Sequence, residues 1–207
     1  MFDSTLLAVF VPTIFFVSIT PGMCMTLAMS LGMSIGVRRT LFMMFGELLG
    51  VASVATAAVM GVAAVMLHYP AIFTVLKTIG GIYLAYIGFK MWRSTGKFAI
   101  NAEQHVNRQP LQLFSQGFVT AIANPKGWAF MVSLLPPFIN QSMPLAPQLS
   151  ILVAVILLSE FICMMLYATG GKTIGKLLTS RNNLNLLNKI SGGLMFFVAL
   201  WLFIGSS

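Results

Sequence analysis

The sequence predicts an all-α integral membrane protein of about six transmembrane helices, and three observations predict it. Charge is scarce: 12 Lys or Arg and 4 Asp or Glu make up 8% of 207 residues, against about 25% in an ordinary soluble domain. Hydrophobic residues reach 58%, which excludes both a soluble globular surface and a disordered chain. The apolar runs are long, whereas barrel strands read as short alternating segments. About 20 apolar residues are needed for a helix to cross the hydrocarbon core.

Taken in order, the first segment covers about 5–29 and is interrupted by Thr20-Pro21-Gly22. Its start, Met1-Phe2-Asp3-Ser4, has no basic region, so it is expected to stay as a spanning helix and not to be cleaved as a signal peptide. The second, about 40–67, carries Glu47 between Gly46 and Gly50, a small-residue spacing that lets another helix pack closely, within the chain or in a homodimer. The third covers about 71–92. The fourth, about 113–139, is interrupted by Asn124-Pro125-Lys126. The fifth, about 147–170, holds Glu160 and the sixth covers about 188–205.

The net charge of +8 is a topology signal. Arg38 and Arg39 follow the first segment; Lys90, Arg93, Lys97 and Arg108 follow the third; Lys172, Lys176, Arg181 and Lys189 follow the fifth. The His68-Tyr69-Pro70 and 140–146 connections hold no cation. Cytoplasmic loops are enriched in Lys and Arg, so the basic connections are expected inside and both termini outside. Aromatic interleaving and a basic solvated face are missing, which excludes nucleic acid as a partner.

Three features recur in order. Lys77-x-x-Gly80-Gly81 returns as Lys189-x-x-Gly192-Gly193, 112 residues on; Glu47 and Glu160 are 113 apart; the two interruptions are 104 apart. The chain therefore reads as a single transmembrane domain of two three-helix repeats. Repeat A covers about 1–92, a cytoplasmic loop 93–112, and repeat B about 113–207. Three is odd, so the repeats are inverted, an arrangement that places a transporter's substrate between the halves at broken helices.

Proline lacks an N–H and displaces the carbonyl four residues back, and freed backbone groups at membrane depth must be met by protein or by a wet cavity. Carbonyls and half-helix N-termini offer both signs of partial charge, which suits a zwitterion. Thr20, Pro21, Gly22, Asn124, Pro125 and Lys126 are the expected substrate-binding residues. Ionisable groups at membrane depth cost about 2.5–3.5 kcal/mol each on insertion scales and usually have a function. A carboxylate favours its neutral form in apolar surroundings and its charged form beside a cation. Glu47 and Glu160 are thus the expected proton-coupling groups, with Lys126 paired to one of them until substrate disrupts the pair. Lys77, nearer a membrane edge, is expected to snorkel.

Met25, Met29 and Met33 form a stripe beside Cys24, which admits a soft-metal path but is better explained as flexible apolar packing or a substrate-lining surface. Cys24 and Cys163, if paired, would suit an electron relay, although no C-x-x-C or metal spacing is present. His68 and His105 read as loop residues. No phosphate cradle, HExxH or nucleophile elbow is found, so no enzyme, cofactor or metal is implied. Gly32-x-x-x-Gly36 reads as helix packing.

The Pro21-Gly22 break, Asn124-Pro125-Lys126, Glu160 and the Gly80-Gly81-x-Tyr83-Leu84 stretch together resemble the LysE/RhtB family of amino-acid exporters over essentially the whole chain. The resemblance implies a multi-pass bacterial inner-membrane protein that exports amino acids on the proton motive force. The family's first-helix motif usually runs Pro-Gly-Pro-Asn; here Met23 and Cys24 replace its last two residues. Loss of that Asn removes a side-chain donor and acceptor, pointing to a less polar or unusual amino acid.

Overall fold

The computed structural model describes residues 4–68, 70–93, 109–135, 138–139, 143–171 and scattered positions from 173 to 200. The order is α1 Ser4–Ile19, α2 Met23–Ile35, α3 Val37–His68, α4 Pro70–Arg93, α5 Pro110–Ile122, α6 Pro125–Leu134 and α7 Leu145–Thr169. No strand occurs among the described residues. Among the described residues Val37–Gly61 and Ala146–Thr169 are each long and apolar enough to cross a membrane, and Leu7–Ile19 with Met23–Ile35 has the length and apolarity for a third if the bent pair is one span.

Both expected interruptions are real breaks. At Thr20-Pro21-Gly22 the axis turns by 57° between α1 and α2, and α5 stops at Ile122 before Pro125 opens α6. Pro fits there because the first helical position has no intrahelical use for its N–H.

Several boundaries move. The first segment reaches Ile35, not 29, and α3 begins at Val37, so exposed Arg38 and Arg39 sit in its first turn and not in a loop. Gly36 makes this joint possible with φ +82°, a backbone region that favours glycine. Thr40 then closes the turn, its N–H and hydroxyl both donating to the Gly36 carbonyl. Gly36 is therefore a turn residue and not half of a packing motif; Gly32 alone packs, against the backbone of Ala168. His68 ends α3 and Pro70 begins α4, so His68 is helical. Arg93 belongs to α4 and Pro110 starts α5 behind a reciprocal cap between Gln109 and Gln112, which shortens the expected 93–112 loop. Lys97, His105, Arg108, Lys172, Lys176, Arg181 and the side chain of Lys77 lie outside the described residues. So does most of the expected sixth helix; Gly192, within it, approaches the backbone of Gly88 and Trp92 on α4.

The tightest packing joins α3 to α5. A Cβ on Gly46 would run into the Phe114 carbonyl, and one on Gly117 into that of Met43. Small residues let these backbones touch. The Gly46 and Gly50 face is thus taken up inside the chain.

Buried apolar side chains form two clusters. One joins α1, the latter part of α3, α6 and the start of α7, with Phe10 packed edge-on to Phe138 at 4.8 Å between centroids. The other joins α2, the start of α3, α5 and the end of α7. Glu47 lies ten residues into α3 and Glu160 nine before the end of α7; both are thus about 15 Å from the end that carries Arg38 and Arg39. That depth is half of a roughly 30 Å hydrocarbon core.

Candidate functional site

Pro21 has no N–H, so the carbonyl four residues earlier, Val17, loses its helical donor. The bend also releases the carbonyls of Ile19 and Thr20. Side chains far along the chain supply the missing donors. Lys126 Nζ donates to Val17 O at 3.1 Å and to Thr20 O at 3.3 Å, and Tyr167 Oη donates to Ile19 O at 2.8 Å. Thr20 turns its own hydroxyl back to Phe16 O at 2.7 Å.

The second break is met locally. Asn124 donates its N–H to Ala121 O, the carbonyl that Pro125 orphans. Trp128 Nε1 donates to Ile122 O at 2.8 Å. The Asn124 side chain caps α6, its Oδ1 accepting from Lys126 N at 3.1 Å, while its Nδ2 points across to Cys24 Sγ at 3.7 Å. At the start of α2, Gly22 offers no side-chain cap. The backbone carbonyl of Gly22 accepts from both the N–H and the hydroxyl of Thr26. A Cβ on Gly22 would stand 3.7 Å from Lys126 Nζ, at ordinary van der Waals contact, so the ammonium lies directly beside the start of α2.

The carboxyl groups differ sharply. Glu160 accepts from Ser18 Oγ at 2.8 Å. Glu47 is 1% exposed, and among the described residues its oxygens have no hydrogen-bond partner beyond the weak thiol of Cys24 nearby. The hydrogen bonds of Lys126 go to carbonyls and not to the expected carboxylate, although its charge lies close enough to act on Glu160. The four-residue offset from Pro21 puts freed carbonyls within its reach, and the C-terminal end of α1 carries the negative end of the helix dipole. Phe130 adds a ring face 5.8 Å from the same nitrogen.

These groups surround a cavity of about 50 Å³ where the two apolar clusters meet. Of the expected substrate-binding residues, Thr20, Gly22, Asn124 and Lys126 line it, as do Glu47 and Glu160. Pro21 and Pro125 do not line it; they create the breaks that shape it. Ser18, Cys24, Val51, Val54, Phe130 and Met131 also contribute to the lining, and sequence reasoning did not single out Ser18 or Tyr167. Tyr167 had a signal, since seven residues after Glu160 is two helical turns along one face. Ser18 had only its place three residues before Pro21.

The methionine stripe is largely core: Met25 and Met29 are buried with Met43, Met44 and Met164. Both cysteines are free thiols, Cys24 beside Asn124 and Cys163 within the second apolar cluster.

Residues 15–206 match the family model for the LysE type translocator. An uncharacterized membrane protein of Vibrio cholerae is 27% identical over 177 residues, 86% of each chain. A homoserine/homoserine lactone efflux protein of Salmonella typhi is 29% identical over 126 residues, 61% of each chain. A leucine efflux protein of an Enterobacter species is 26% identical over 183 residues, 88% of this chain and 87% of the relative. No solved structure matches the chain. With that match over residues 15–206, the chain belongs to the LysE type translocators.

Proposed function

We propose that this protein is a secondary transporter that exports amino acids or related small zwitterions across the bacterial inner membrane by proton antiport. The cavity between the helix breaks is its substrate site. The observation that carries the reading is convergence: two breaks, two membrane-depth carboxyls and one lysine meet in one cavity. Features that recur 104 and 113 residues apart in the chain thereby share one site, which supports two inverted repeats around it. Basic connections inside and both termini outside complete the arrangement.

Substrate class follows from chemistry. Relatives are named for efflux of homoserine, its lactone and leucine. Homoserine and its lactone share an α-amino group but not a free carboxylate, and leucine adds only an apolar side chain. Here Val51, Val54, Phe130 and Met131 offer an apolar wall, and Cys24 replaces a polar Asn, favouring a side chain of low polarity. On the same measure a water occupies about 10–15 Å³, so the 50 Å³ cavity holds roughly four waters and must widen to seat an amino acid. Because α3 and α5 touch through their backbones, widening is carried by the hinges at Pro21 and Pro125 and not by parting α3 from α5.

Everted membrane vesicles with an acidic lumen test the proposal. A panel of amino acids that includes L-leucine, L-homoserine and L-homoserine lactone is added singly while a pH-sensitive dye reports the gradient. Dissipation by one or a few members supports proton-coupled export. Silence across the panel, with the protein shown to be in the membrane, refutes it. Fusions at the C terminus test topology: active alkaline phosphatase and dark GFP are expected, and bright cytoplasmic GFP would contradict it.

A further inference from the structure

The following inference rests on the exporter reading and divides roles that this reading leaves shared between two carboxyls. We propose that Glu47 is the amine-binding subsite of the cavity, where a proton and the substrate's ammonium group alternate.

Three charged residues line the cavity, and two are already engaged. Lys126 gives Nζ donors to Val17 O and Thr20 O, and Glu160 accepts from Ser18. Glu47 is buried too, yet among the described residues neither of its oxygens meets a hydrogen-bond partner other than the weak Cys24 thiol near it. Native proteins rarely leave a buried polar group unmet, and each exception asks for an explanation such as an unseen ligand. The groups facing Glu47 do not supply one. Cys24 on α2 brings it only a thiol, a weak donor, and Glu160 on α7 brings a second carboxyl, while Lys126 on α6 is held by carbonyls. Cys163 stands in the apolar cluster a turn beyond Glu160. Neither α1 nor α5 has an ionisable side chain. On α4, Tyr83, Tyr86, Lys90 and Arg93 are exposed, as are Arg38 and Arg39 at the start of α3.

A cation completes the site, and chemistry offers two that fit a single carboxylate: a proton or a primary ammonium. Both need the same oxygens, so each excludes the other. When substrate arrives from the cytoplasm, the Glu47 O–H bond breaks, its proton passes to water, and the carboxylate pairs with the ammonium. On the far side the ammonium leaves and a proton from that side re-forms the O–H bond. One proton enters for each substrate molecule exported. Lysine has three N–H donors and Lys126 uses two, so the third is free to orient a substrate carboxylate.

The test uses the full chain in everted vesicles at fixed lumen pH, with L-leucine and L-homoserine as probes. For whichever is carried, lowering outer pH by one unit is expected to raise the apparent KM by up to about tenfold at constant maximal rate, as mass-action competition requires. Glu47→Gln should abolish gradient-driven accumulation. Glu47→Asp, a conservative variant that keeps the carboxylate, should preserve the pH slope of KM with weaker binding. Glu160→Gln should lower the rate and keep the slope. L-leucinamide, which lacks the carboxylate, should inhibit; 4-methylpentanoate, which lacks the amine, should not. A KM flat from about pH 5.5 to about 8.5, or inhibition by 4-methylpentanoate but not by leucinamide, overturns the amine subsite while leaving export standing. If the wild type carries neither probe nor any other panel member, the exporter reading falls and the subsite falls with it.

Discussion

Gly117→Ala tests whether backbone contact between α3 and α5 holds the site together. The new methyl group would overlap the Met43 carbonyl and stand 2.9 Å from Glu47 N. Both obstacles are backbone atoms of a continuous 32-residue helix, so no side chain can swing aside and the helices must part. Overpacking costs about 1–3 kcal/mol, and backbone obstacles place this case at the upper end. Replacing Gly by Ala within a helix returns about 1 kcal/mol, leaving a net loss of about 2 kcal/mol. By the scaling for soluble proteins of this length, that lowers the melting temperature by roughly 4–8 °C. Gly61→Ala is the control, because no atom of the described residues lies within 4 Å of its added Cβ, and it should be neutral or stabilising by up to about 1 kcal/mol. Gly50→Ala should fall between, with Ala121 Cβ at 2.7 Å and the Phe118 carbonyl at 2.9 Å. Thermal unfolding in detergent, followed by fluorescence-detected size exclusion, ranks the three. Transport by Gly117→Ala should fall too, since the methyl group presses on the backbone of Glu47. If Gly117→Ala melts with the wild type and transports normally, the contact is not what positions Glu47.

Other predictions test the second break and its partners. Lys126→Met leaves Val17 O and Thr20 O without their side-chain donor; bonds to charged groups are worth about 1.5–3 kcal/mol each, so this variant should be among the least stable and should not transport, by the same unfolding and vesicle assays. Tyr167→Phe deletes one bond to Ile19 O and should cost about 1 kcal/mol, read as a small drop in melting temperature that Tyr167→Leu exceeds. Cys24→Asn restores a polar side chain opposite Asn124, and one added hydrogen bond of about 1 kcal/mol should shift the homoserine-to-leucine uptake ratio severalfold toward homoserine. An unchanged ratio would show that position 24 does not read the substrate side chain.

Much of the site was legible because prolines and charges are costly in a membrane and therefore rarely idle. Pro21, Pro125, Glu47, Glu160 and Lys126 stand out against a chain that is 58% hydrophobic. Spacing along the chain matched the two breaks, 104 residues apart, and the two carboxyls, 113 apart. What could not be read was the partner of each group. Lys126 invited a carboxylate by charge, yet its bonds go to carbonyls, because a one-dimensional reading sees side-chain charge and not the backbone acceptors that a proline four residues away sets free. Tyr167 and Ser18 escaped for the same reason: a hydroxyl acquires a role only when the fold brings it to an orphaned group. Helix ends were misjudged where glycine allowed an abrupt joint, as at Gly36, since hydropathy averages over the single residue that makes the turn.

The placement of Lys126 also explains how a chain can keep one carboxyl open at membrane depth. Had Lys126 paired with Glu47, the cavity would hold a satisfied ion pair, and a substrate would have to break it before binding. Instead α1 ends at the cavity, and its released carbonyls and dipole meet the ammonium. Ser18, on the last turn of the same helix, meets Glu160. One helix terminus thus accounts for two of the three charges, and α7 steadies that terminus through Tyr167. The break at Pro21 is therefore more than a flexible point. By ending α1 at the cavity it provides the acceptors that hold the lysine, and by holding the lysine it leaves Glu47 available to a mobile cation. Straightening the helix through residue 21 would not undo this arrangement, because Pro21 has no N–H to return to Val17 O and that carbonyl keeps its need for the lysine in either shape of the hinge.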